Sequence, residues 1–63
     1  MDNEQAIHFI KEQISELHSI SDNRTFQAGY VNGLMAAFLR ADLLTVNEFA
    51  DLHDLLVLEL CSE

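Results

Sequence analysis

Thr45-Val46-Asn47-Glu48-Phe49-Ala50-Asp51-Leu52-His53-Asp54-Leu55-Leu56-Val57-Leu58-Glu59-Leu60 is the stretch on which the reading of this chain turns. It opens with a helix start: Thr45 is placed to cap, and Glu48, three residues on, completes an S/T-x-x-E capping box. Leu44 before the cap and Phe49 four residues after it are spaced as a hydrophobic staple. The far end is apolar around most of the helix circumference through Leu55, Leu56, Val57, Leu58, Leu60 and Cys61. No base follows Arg40, whereas Asp42, Glu48, Asp51, Asp54, Glu59 and Glu63 are acidic. A helix both this apolar and this acidic calls for more partner surface than a small monomer supplies. Phe49, Leu52 and Leu56 are expected to pack inside the subunit. Leu55, Leu58 and Cys61, with Leu60 beside them, are the expected interface with another chain.

Upstream, Asp42-Leu43-Leu44 reads as a short link that turns this helix back on the one before. That preceding helix should run over about 23–41, with Ser21 or Asp22 as its cap. Phe26, Tyr30, Leu34, Ala37, Phe38 and Ala41 form its expected apolar face. Gly29, Gly33 and Ala37 recur every fourth residue along it. A helix-interior glycine costs about 1 kcal/mol relative to alanine. Such positions often admit a close backbone, so these three are expected to seat a neighbouring helix, within the subunit or across a dimer. On that reading Gly33→Leu lowers stability by more than about 1 kcal/mol.

The first helix should span about 3–18. Asp2 can cap it and Gln5 can reach back, a D-x-x-Q variant of the box. Ile7, Ile10, Ile14 and Leu17 then follow at 3-4-3 spacing. Proline is absent, and no stretch alternates with period two long enough for a strand. The expected architecture is therefore all-α: one domain over residues 1–63, with helices near 3–18, 23–41 and 46–60. The second and third form a hairpin, the first packs across it, and a homodimer is expected.

With 63 residues and a single cysteine, no disulfide within the chain can supplement a small core. Self-association is the remaining usual source of buried area. The lone thiol fits a reducing cytoplasm, and the polar, acidic Met1–Gln5 is unlike a signal peptide. Uninterrupted apolar runs such as Leu55–Leu58 are far too short for a membrane span. A net charge of −8 argues against direct nucleic-acid binding, which needs Lys and Arg on phosphates. The charge suits solubility, or an acidic face directed at a basic protein surface.

Chemistry-bearing patterns are sparse. His8 and Glu12 lie one turn apart, too few ligands for a structural metal site. His18 stands where a helix C-terminus favours positive charge, and His53 is expected to pack on the surface beside Phe49. Cys61 lies between Glu59 and Glu63, which oppose thiolate formation. Leu44-Thr45-x-x-Glu48-Phe49 resembles the exit of an EF-hand loop. Counting back from Glu48, however, puts Ala37, Leu39 and Ala41 at ligand positions and Asp42 at the glycine turn. No phosphate loop, triad or carboxylate pair is present. Neither enzyme activity nor a cofactor or metal is expected. Arg24, Arg40 and Lys11 are expected to pair with Glu12, Glu16, Asp42 or Asp51, while Arg40 is also a possible partner contact.

The block Phe26-Gln-Ala-Gly-Tyr-Val-Asn-Gly-Leu-Met-Ala-Ala-Phe-Leu-Arg40, continued by Ala41-Asp-Leu-Leu-Thr-Val-Asn-Glu-Phe49, resembles a phage family. It is similar to the small all-helical protein encoded in the exo–xis region of lambdoid bacteriophages, Shiga-toxin carriers included. The resemblance covers about residues 24–60 and brings no catalytic motif. It implies an early accessory factor in the bacterial host cytoplasm, associated with lysis–lysogeny development, prophage induction or the host cell cycle. Such a factor would bind an unidentified host or phage protein. The acidity supports an alternative, a DNA mimic whose carboxylates occupy a basic nucleic-acid site.

Overall fold

The computed structural model describes residues 1–19 and 22–61. Among these, α1 spans Asn3–Ser15, a 3-10 turn follows over Glu16–Ser19, α2 spans Arg24–Arg40 and α3 spans Val46–Cys61. Each helix packs on both of the others, giving a three-helix bundle 32 × 18 × 16 Å across.

Both expected capping boxes form. Asp2 Oδ1 accepts from the Gln5 N–H at 2.8 Å, and Gln5 Oε1 accepts from the Asp2 N–H at 3.0 Å. At α3, Thr45 Oγ1 accepts from the Glu48 N–H at 3.1 Å, and Glu48 Oε1 accepts from the Thr45 N–H at 2.9 Å. The Asn3 amide then links the two helix starts. Its Nδ2 donates to Glu48 Oε1 at 2.8 Å and to the Leu43 carbonyl at 2.7 Å. One side chain thereby ties the first turn of α1 to the α2–α3 corner, residues 40 or more apart in sequence.

That corner is a Schellman motif. The Leu43 N–H donates to the Phe38 carbonyl at 2.9 Å and the Asp42 N–H to the Leu39 carbonyl at 3.1 Å. Asp42 takes the left-handed position with φ 62°, where glycine is favoured because it has no Cβ to clash.

The core comprises Ala6, Ile10, Ile14 and Leu17 from the first segment, Ala28, Val31 and Met35 from α2, and Leu44, Leu52 and Leu56 from the third. It contains no buried polar or charged residue among those described. Phe9 and Phe38 cover one flank, with ring centroids 6.2 Å apart. Leu52 and Leu56 are enclosed and Phe49 half-buried, as expected for the inner side of α3.

Several expectations need correction. The first helix ends at Ser15, and the tightened turn through Ser19 leaves Leu17 enclosed; 3-10 turns of this kind are common helix ends. Ile7 is only half-buried, because the inward stripe is Ala6, Ile10 and Ile14. Ser21 lies outside the described residues. Asp22 precedes the cap position of α2, which Asn23 occupies without a side-chain hydrogen bond.

The largest correction concerns which face of α2 is buried. Phe26 and Tyr30 point outward, 74% and 52% exposed, and Ala37 and Ala41 are exposed with them. The inward stripe is Ala28, Val31 and Met35, flanked by Leu34 and Phe38. At about 100° per residue, Arg40 shares the Phe26–Gly33 face. Turning that face inward would bury an unpaired guanidinium.

Replacing Asp42 with glycine should relieve the left-handed strain and remove a negative charge from the α2 C-terminus. Asp42→Gly is expected to raise stability by about 0.5–1 kcal/mol, or a few degrees in Tm, read by thermal circular dichroism. The Glu48 carboxyl is held below its ordinary value of 4.5, first by the Thr45 N–H, then by the Asn3 amide, with a smaller contribution from the Thr45 hydroxyl. A depressed carboxylate contributes stability that is fully present above about 4.5 and is lost as pH falls through the folded value. Wild type should therefore lose more stability than Glu48→Gln between pH 6 and pH 3; parallel losses in denaturant titrations would contradict this linkage.

Candidate protein-binding surface

Among the described residues, two of the apolar surfaces outside the core bear on binding. The first lies between α1 and α3, where Leu55 and Leu58 are 42% and 66% exposed. With Ile14 they line an open groove of ≈ 540 Å³ whose polar rim is Lys11, His18 and Glu59. Leu55, Leu58 and Cys61 follow one another at intervals of three, so they share a face spread over about 120°. Leu60 lies about 140° around the helix from Leu55. The four expected interface residues are all exposed, but Leu60 belongs to the opposite flank.

The groove ends at a polar clasp absent from the expected pairings. Arg24, on the inward side of α2, donates from Nη2 to the Glu59 carbonyl at 2.6 Å and lies 3.6 Å from Glu59 Oε2. His18 Nδ1 approaches the same carboxylate at 3.0 Å. No well-aligned hydrogen bond closes on Arg24 Nε or Glu59 Oε2. The last carbonyls of a helix lack intrahelical partners and carry the negative end of its dipole. α3 has no base in its final turn, so Arg24 supplies one from the neighbouring helix. Arg24 thus pairs with Glu59 rather than with Glu12, Glu16, Asp42 or Asp51. His18 likewise serves α3 as much as its own segment. A lone base at a helix start facing an acidic helix end was the available sequence signal.

The other titratable residues are dispersed. His8 lies 3.6 Å from Glu12 with both side chains exposed. His53 stacks on Phe49 with ring centroids 6.3 Å apart and an interplanar angle of 12°. Cys61 is free and exposed. Among the described residues no three His, Cys, Asp or Glu side chains converge as metal ligands, and no helix is long and apolar enough to cross a membrane.

The carboxylates needed for a DNA mimic divide by structural employment. Glu48 is engaged by Asn3 and Thr45, and Glu59, with a side chain 14% exposed, is engaged by Arg24 and His18. On α3 that leaves Asp51 and Asp54 as outward acids.

The second apolar surface is the outer face of α2. An ideal Cβ placed on Gly29 or Gly33 meets nothing within 4 Å. No helix of the same subunit rests on either glycine, so the intrasubunit seat is not formed. The expected destabilisation by Gly33→Leu through blocked packing inside the subunit has no physical basis here.

No protein-family model, curated protein or solved structure matches this chain.

Arg24→Ala removes a charged donor from a helix-terminal carbonyl and should cost about 1 kcal/mol, discounted for partial exposure. Glu59→Gln keeps that backbone contact and should cost less. Urea titration of both variants checks the order; the reverse ranking would show that the carboxylate, not the carbonyl, holds the clasp.

Proposed function

We propose that this chain is a non-enzymatic accessory protein of a bacteriophage. It acts in the bacterial cytoplasm by holding one other protein, host- or phage-encoded, on the α1–α3 groove. The observation that carries this reading is the exposure of Leu55 and Leu58 beside Ile14, within a rim of Lys11, His18 and Glu59. Contiguous apolar surface bounded by polar side chains is the pattern of a protein contact. The phage setting, and a role in lysis–lysogeny development or the host cell cycle, rest on the resemblance of residues 24–60. Engagement of Glu48 and Glu59 inside the subunit favours this reading over the DNA mimic.

Leu55→Asp/Leu58→Asp tests the groove without entering the core. Affinity capture from a bacterial lysate should yield one specific protein with wild type and lose it with the double variant. Binding of that protein should weaken little between 0.05 and 0.5 M salt, concentrations chosen to span roughly a threefold change in screening length. Retention by the double variant would remove the groove from the function, and a steep salt dependence would restore the mimic reading.

A further inference from the structure

The outer face of α2 has properties the groove does not share. Phe26, Tyr30, Gly33 and Ala37 follow at 4-3-4 spacing and are all exposed, with Gly29 exposed beside them. These residues therefore form one continuous stripe along the helix. From Thr25 to Leu39 the chain carries no charged residue. Outward acids instead sit on the other elements, including Glu4 and Glu12 on α1 and Asp51 and Asp54 on α3. Two copies with a net charge of −8 each repel wherever those acids face one another. The uncharged face of α2 is where they approach at least electrostatic cost.

The stripe is also complementary to itself in one orientation. Its N-terminal half carries the large side chains Phe26 and Tyr30, and its C-terminal half carries Gly33, Ala36 and Ala37. Gly29 and Gly33 are placed symmetrically about position 31, as are Phe26 and Ala36. Two antiparallel copies crossing at that level set each aromatic half on the partner's small half. A parallel pair would set Phe26 on Phe26 and leave the glycines facing a gap. The ends agree with the same register. Asp22 and Arg40 are also symmetric about position 31, both are exposed, and Arg40 has no ion pair among the described residues. Antiparallel copies bring Arg40 of each toward Asp22 of the other, whereas parallel copies would bring Arg40 onto Arg40.

We propose that a second copy of this chain covers the outer face of α2, with the two α2 helices antiparallel about a two-fold axis at the level of residue 31. The helix pair is about 25 Å long and buries on the order of 1,000 Å² in total. An interface of that size lies at the low end for specific protein contacts, which suits a reversible association. It also explains why glycines stand at two outward positions of a helix: they admit the partner backbone rather than a neighbour within the subunit. The α1–α3 groove stays open in this dimer, so self-association and capture of another protein use separate faces.

Sedimentation equilibrium of the full chain from 5 to 500 µM tests this, a range chosen to bracket weak association of about micromolar to 100 µM affinity. Wild type should dimerise. Gly33→Leu should remain monomeric, with association weakened roughly 100-fold or more, while its far-ultraviolet circular dichroism shows an intact helical fold. Leu55→Asp/Leu58→Asp should dimerise like wild type. Arg40→Asp should weaken association several-fold, and Asp22→Arg/Arg40→Asp should recover it. A wild type monomeric throughout the range overturns the proposal, as does a dimer that survives Gly33→Leu or is lost in the groove variant. Failure of the double charge swap to recover association overturns the antiparallel register. Loss of partner capture by the groove variant with dimerisation intact would bear on the function of the groove alone.

Discussion

Ile10 and Met35 are wholly enclosed, and Leu17 and Val31 nearly so; around these four side chains the three helices meet. The chain can close only one such cluster, because a domain of this size buries a small fraction of its surface compared with larger ones. Each helix therefore turns a single stripe inward, and further apolar stripes are left outside. The exposed Leu58 on α3 and Phe26 on α2 both follow from that limit.

The helix ends are secured by polar contacts that cross between elements rather than by the core. Asn3 bridges the start of α1 to the Leu43 carbonyl and Glu48, and Arg24 bridges the start of α2 to the last turn of α3. Each bridge satisfies groups that a helix terminus leaves unpaired. Together they clamp opposite ends of α3, with the aliphatic core between them. This division leaves the outward surfaces free to differ: a polar-rimmed groove between α1 and α3, and an uncharged stripe on α2.

Legibility in the sequence varied with how local the determining interaction was. The Asp2–Gln5 and Thr45–Glu48 boxes were readable because each closes within three residues. The inner side of α3, Leu52 and Leu56, was readable because acids occupy intervening positions and mark the outside. The stripe of α2 was not readable in the same way. Between Arg24 and Arg40 no charge identifies a polar side, and apolar residues recur at helical spacing on two faces. The broader aromatic face looked like the better core face. Its position in line with Arg40 decides against it, and Ala28, Val31 and Met35 fill the space between α1 and α3 instead.

The sequence by itself determined three helices, the caps of the first and third, the corner at Asp42–Leu44 and an acidic, apolar-tailed third helix, because those features are settled by neighbours a few residues apart. The tertiary structure alone decided which side of α2 is buried, that Arg24 and His18 turn toward Glu59, and that Gly29 and Gly33 face outward. The physical reason is that these outcomes depend on contacts between residues distant along the chain. They are chosen by competition for one small core, and no local pattern records which stripe wins that competition.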